Sequence, residues 1–235
     1  MPENFRIWFE TSFNVVYLAA IWYLVIAMWR NLSGVNEKDR SVAQLFLAAF
    51  ALLAVGDTGH VGFRVLALMI DGPQTMISLA GQPMLLIGLG TLVTSVTVTI
   101  FYVMMLVIWQ RRFDKPYGWL GILLFGMAII RLVMMMPVAN QWGTPTPPQP
   151  WTTYRNLPLI ILGLGSAYLI LRDAYKNQDR TFIWIGWMIV ISYAFYIPVI
   201  LFVQKVPLLG MLMIPKTLAY LAAAAIGYKA LFKNA

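Results

Sequence analysis

Seven apolar runs account for most of this chain, and they limit its fold more than any other feature. A helix needs about 20 apolar residues to cross the hydrocarbon of a bilayer, because each residue adds only about 1.5 Å. Runs at or near that length cover about residues 6–30, 42–70, 83–109, 117–137, 157–172, 181–203 and 207–231. Backbone polar groups in lipid must bond within their own segment, so each run predicts a helix. Only 11% of the residues are charged, where a soluble domain carries about 25%. The sequence therefore predicts an all-α, polytopic membrane protein: one domain over residues 1–235, built as a seven-transmembrane-helix bundle.

The connections are short and polar, with one exception. Residues 139–156 hold Pro145, Pro147, Pro148 and Pro150 between Trp142 and Trp151. Proline at that density opposes helix and sheet alike, so the expectation is an extended outer loop with its tryptophans at the headgroups. Asp71-Gly72-Pro73 reads as a turn, and Pro83 suits the first turn of the third helix.

Lys and Arg fix the expected orientation. The odd-numbered connections and the C-terminal end hold Arg30, Lys38, Arg40, Arg111, Arg112, Lys115, Arg172, Lys176, Arg180, Lys229 and Lys233. The other side holds Arg6, Arg64, Arg155 and Lys205. Eleven against four predicts an N-terminus outside and a C-terminus in the cytoplasm of a plasma or bacterial inner membrane. The net charge of +8 is then a matter of loops facing anionic lipid, and no basic face remains for nucleic acid. The expected partners are membrane lipid and a small-molecule ligand, with a partner protein if the chain is a sensor or subunit.

The stretch Gly56-Asp57-Thr58-Gly59-His60-Val61-Gly62-Phe63-Arg64 breaks the apolar pattern of the second helix. At 100° per residue, Asp57, His60 and Arg64 fall within an arc of about 60°, with the glycines on the other side. Glycines on one stripe predict close helix packing. The charged stripe has two readings. One is a local network in which Asp57 orients His60 and Arg64. The other is an outward-facing polar cavity shared with Arg131 of the fourth helix and Lys216 of the seventh, which belong to no loop. A charge at the bilayer centre costs about 3 kcal/mol on the insertion scale and normally faces the bundle interior.

Depth supports the second reading. Measured from the cytoplasmic end of each helix, Asp57, Arg131, Tyr196, Thr94 and Asn14 all lie roughly 21–24 Å up. Asn156 heads the fifth helix at a similar level, and Lys216 lies roughly 13 Å below the outer boundary. With His60 neutral, Asp57, Arg64, Arg131 and Lys216 sum to +2, an excess that a bound anion would compensate; Glu10 at the mouth is a further candidate. The expected site is Asp57, His60, Arg64, Arg131, Lys216, Tyr193, Tyr196, Asn156 and Thr94. It would bind a small acidic or amphipathic ligand, with no cofactor and no catalytic residue assigned. Proline in the sixth and seventh helices (Pro198, Pro215) supports a small-solute or proton-coupled transporter as the alternative. One histidine and no cysteine exclude a conventional zinc site. An intramembrane enzyme would have to use His60 and Asp57 with a distant serine, Ser95 or Ser192.

Seven predicted helices, an outside N-terminus and Lys216 in the last helix resemble the outline of microbial rhodopsins. Trp187, Tyr193, Tyr196 and Pro198 in the sixth helix fit it. The resemblance implies retinal bound through Lys216. The chain departs from that pattern in lacking a carboxylate in the third helix, in having Leu212 four residues before Lys216, and in placing Pro215 directly before it. Asp57 would then have to serve as counterion.

Overall fold

The computed structural model describes residues 3–72, 74–79, 81–144 and 148–233, with side chains for all of these except residues 3–11, Leu68, Leu79 and Gln82. Pro73, Pro145, Pro147 and the side chains of Arg6 and Glu10 lie outside the described residues. Seven α-helices follow one another: α1 (Glu3–Asn31), α2 (Glu37–Ile70), α3 (Leu86–Phe113), α4 (Gly118–Met134), α5 (Gln149–Lys176), α6 (Arg180–Phe202) and α7 (Met213–Tyr228). Six helical stretches are long and apolar enough to cross a membrane; α4 is apolar but shorter, at 17 residues. The chain is thus a multi-pass membrane protein of the all-α class.

Each helix packs against its neighbour in sequence, and α7 returns to α1, so the seven close into a ring. α3 also reaches across to α5. The closest approach is between α2 and α3, and the glycine stripe explains it. A Cβ on Gly56 would stand 1.9 Å from Thr97 Oγ1, and one on Gly59 would stand 3.1 Å from Val93. The Thr94 hydroxyl crosses the same seam to donate to the Gly56 carbonyl at 2.8 Å.

Inside the ring, aromatic side chains form a continuous core. Phe46 meets Phe50 at 4.7 Å between centroids, Phe50 meets Phe101 at 5.3 Å, and Phe101 meets Tyr102 at 5.2 Å. Tyr102 and Tyr220 join α3 to α7 through a 2.6 Å hydroxyl–hydroxyl bond.

The two ends differ. At the basic end Arg112 of α3 bonds Asp39 of α2 and, at 2.8 Å, Asp179 before α6. Asp179 also caps α6 by accepting from Phe182 N at 3.1 Å. The connections α1–α2, α3–α4 and α5–α6 therefore share one end. At the other end, a Cβ on Gly88 would meet the Trp142 carbonyl at 1.9 Å, so the α4–α5 connection lies against the start of α3.

Three boundaries differ from expectation. Residues 76–85 form an antiparallel hairpin, β1 (Met76–Leu79) with β2 (Gln82–Leu85), and Pro83 pairs with Ser78 instead of opening α3. A two-stranded sheet has only edges, where proline is tolerated, and Gly81 at φ +78° supplies the turn. α5 begins at Gln149, so the proline-rich segment is not a loop through Asn156. Pro148 stands at the N-cap and Pro150 in the first turn, where a missing N–H costs nothing. Asn156 consequently lies within α5, not at its head. Finally, residues 207–212 form a 3-10 turn before α7, which puts Pro215 in the first turn of the α-helix and leaves α6 continuous through Pro198.

Candidate functional site

Arg131 is among the largest fully buried side chains, at 1% exposure. Its guanidinium ties three helices together. Nε donates to the Arg155 carbonyl at 3.2 Å, and one terminal nitrogen donates to the Ser95 carbonyl at 2.8 Å and to Thr99 Oγ1. The other terminal nitrogen donates to Asn156 Oδ1 at 3.3 Å. Four acceptors on α3 and α5 thus hold a side chain from α4. A planar fork with five donors suits this task, and it turns Arg131 into a strut. Asn156, which depth put at a similar level, is one of its acceptors.

Arg155, assigned from sequence to an outer loop, is 5% exposed. Its guanidinium lies 4.2 Å over the Trp142 ring and donates to Asn140 Oδ1 at 3.4 Å. The longer α5 is what carries it inward.

Lys216 lies against Tyr196. Its Nζ stands 4.3 Å from the centroid of the Tyr196 ring and 5.7 Å from that of Tyr220. No described carboxylate lies within 4 Å of it. Of the two rings, Tyr196 of α6 is the nearer to the ammonium. Tyr193 stands one turn earlier, 6.3 Å from Tyr196 between ring centroids. It fills the notch over Gly163 and donates to the Leu159 carbonyl at 2.9 Å.

On α2 the expected local network does not form among the described residues. Asp57 Oδ2 accepts from the Tyr17 hydroxyl of α1 at 2.6 Å and is bonded to neither His60 nor Arg64. Arg64 is exposed, one further turn along the helix. His60 Nδ1 is buried with no hydrogen-bond partner. The Lys216 charge acts on both Asp57 and His60 across the ring of helices. Thr94 belongs to the α2–α3 seam described above.

The site residues therefore divide into a sealed node (Arg131, Asn156) and a more open layer (Lys216, Tyr196, Asp57, His60). Sequence reasoning missed Tyr17, Tyr102, Tyr220 and Arg155. Tyr220 had a signal, being one helical turn after Lys216; Tyr17 had a weaker one, standing one turn after Asn14. Two surface hollows lie elsewhere, one of about 330 Å³ between Tyr175 and Ile191 and one of about 590 Å³ beside Arg112 and Asp179. No protein-family model, no curated protein and no solved structure matches this chain.

Proposed function

We propose that the chain is a seven-span protein of a plasma or bacterial inner membrane, N-terminus outside, which binds a small acidic or amphipathic ligand in its outer half. The Lys216 ammonium is the anchor of the acidic group. Tyr196 and Tyr220 form the aromatic wall, and Asp57 and His60 line the facing side from α2.

The observation that carries this reading is the environment of Lys216. It is a half-buried ammonium against two aromatic rings, with no described carboxylate within 4 Å. An anion there would meet the ammonium directly. The span count is supported by α4, whose 17 residues lie at the short end of the spanning range. The orientation is supported by the gathering of the basic connections at one end of the ring.

The test is binding of a fluorescent dodecanoic acid to the purified chain. Lys216→Met keeps the apolar stem and removes the charge, and should weaken binding about tenfold or more, the worth of a charge-assisted bond. Equal affinity in parent and variant overturns the reading.

Two observations favour other uses of the same layer. The change from 3-10 to α geometry just before Lys216 fits a transporter, for which solute uptake into proteoliposomes should fall in Asp57→Asn. The rings against Nζ also suit an aldehyde such as retinal, held as an imine of Lys216 with loss of water. Borohydride reduction followed by peptide mass measurement would detect that adduct.

A further inference from the structure

The lipid-facing side of α5 and α6 carries a hollow of about 330 Å³ lined by Tyr175, Ile183, Trp184, Trp187 and Ile191. Trp184, Trp187 and Tyr175 are 58%, 41% and 50% exposed, so these large rings face outward and leave a gap between them. The wall is dry in the chemical sense. The Trp187 indole N–H is satisfied by the Tyr175 hydroxyl at 2.9 Å, so an occupant need offer that indole nothing but hydrocarbon.

Charge is confined to one end. Arg180, Trp184, Trp187 and Ile191 fall within an arc of about 60° on α6 and extend over about 16 Å of its length. Arg180 opens α6, and Lys176 closes α5 beside Tyr175. Both are exposed, and neither has an ion pair among the described residues. Arg172, on the same face of α5 as Tyr175, is held by Asp173 at 2.7 Å. Lys176 and Arg180 stand beyond the lining of the slot at its basic end, and Arg180 also borders the second hollow with Asp114 and Asp179. An apolar slot leading to two exposed basic residues is complementary to a chain with an anionic head.

We propose that this hollow is a binding site for an anionic phospholipid, with an acyl chain against Trp184, Trp187 and Ile191 and its phosphate between Lys176 and Arg180. The site is separate from Lys216, which lies near the opposite end of the bundle. Its occupant comes from the leaflet beside the basic connections.

Brominated lipids quench tryptophan on contact, and they give the test. The full chain is reconstituted in phosphatidylcholine vesicles containing a minor fraction of either dibrominated phosphatidylglycerol or dibrominated phosphatidylcholine. The quenching owed to this site is the part lost in Trp184→Phe/Trp187→Phe. In the parent, phosphatidylglycerol should be preferred by about fivefold for each basic residue, and Lys176→Gln/Arg180→Gln should bring the two lipids to parity. Those two positions are exposed, so helical circular dichroism and elution volume should match the parent. Ile191→Phe, which fills the slot, should reduce quenching by both lipids. Equal quenching by the two lipids in the parent overturns the proposal, as does a preference that survives the double substitution. A dimer abolished by Ile191→Phe would put a second copy in the slot and overturn it equally.

Discussion

Arg131→Lys separates a strut from a ligand-attracting charge. The substitution keeps the positive charge on α4 and removes the fork. A lysine ammonium is one nitrogen on a flexible stem, and it cannot serve the Arg155 carbonyl, the Ser95 carbonyl, Thr99 Oγ1 and Asn156 Oδ1 together, because these acceptors surround different nitrogens of the guanidinium. If lysine retains one of the four bonds, three are lost. Interhelical hydrogen bonds in membrane proteins are worth about 0.6 kcal/mol on average and at most about 1.7. The expected loss is therefore about 2–5 kcal/mol, with no compensating relief from burying less charge. The measurement is reversible unfolding in mixed micelles as the mole fraction of sodium dodecyl sulfate is raised, followed by far-ultraviolet circular dichroism. A purely electrostatic role predicts a different result: Arg131→Lys would unfold with the parent, while Arg131→Met would bind dodecanoate more weakly. Stability of Arg131→Lys within about 0.5 kcal/mol of the parent would refute the strut.

Other substitutions follow from the same contacts. Gly163→Ala puts a methyl group 2.0 Å from the Tyr193 hydroxyl oxygen, so the ring must leave its bond to Leu159, and the cost should be about 1–3 kcal/mol in the same unfolding assay. Gly126→Ala, with nothing within 4 Å, should instead be neutral or stabilising by up to about 1 kcal/mol. Tyr17→Phe removes the donor to Asp57 Oδ2 and should cost about 1–3 kcal/mol, a loss that a double-mutant cycle with Asp57→Leu should show to be shared. Arg112→Ala breaks two partly exposed ion pairs together, so a loss of about 1–2 kcal/mol is expected, shrinking in 1 M salt, with faster hydrogen exchange at the α5–α6 turn.

The helices were legible because the bilayer imposes a length, and length survives in sequence as an apolar run. The α2–α3 seam was legible in part: the stripe of Gly56, Gly59 and Gly62 marked close packing without naming its partner, and Gly56 and Gly59 lie against Thr97 and Val93 while Gly62 has nothing within 4 Å. What sequence composition hid was position within an element. The prolines around 148–150 suggested a loop by number, yet they open a helix, and the added turns of α5 carried Arg155 into the core. Arg131 was hidden for another reason. Its position invited a search for a countercharge, but the protein answers it with neutral oxygens, two of them backbone carbonyls that every residue possesses and no sequence motif marks. Neutral acceptors satisfy donors without cancelling charge. Arg131 and Arg155 therefore keep their charge inside the bundle, and Lys216 keeps its own against the Tyr196 ring. Asp57, held by Tyr17, makes no contact with any of the three. The excess that the sequence assigned to one cavity shared by α2, α4 and α7 is thus divided in space: Arg131 is sealed among neutral acceptors, Lys216 lies against Tyr196, and Arg64 is exposed.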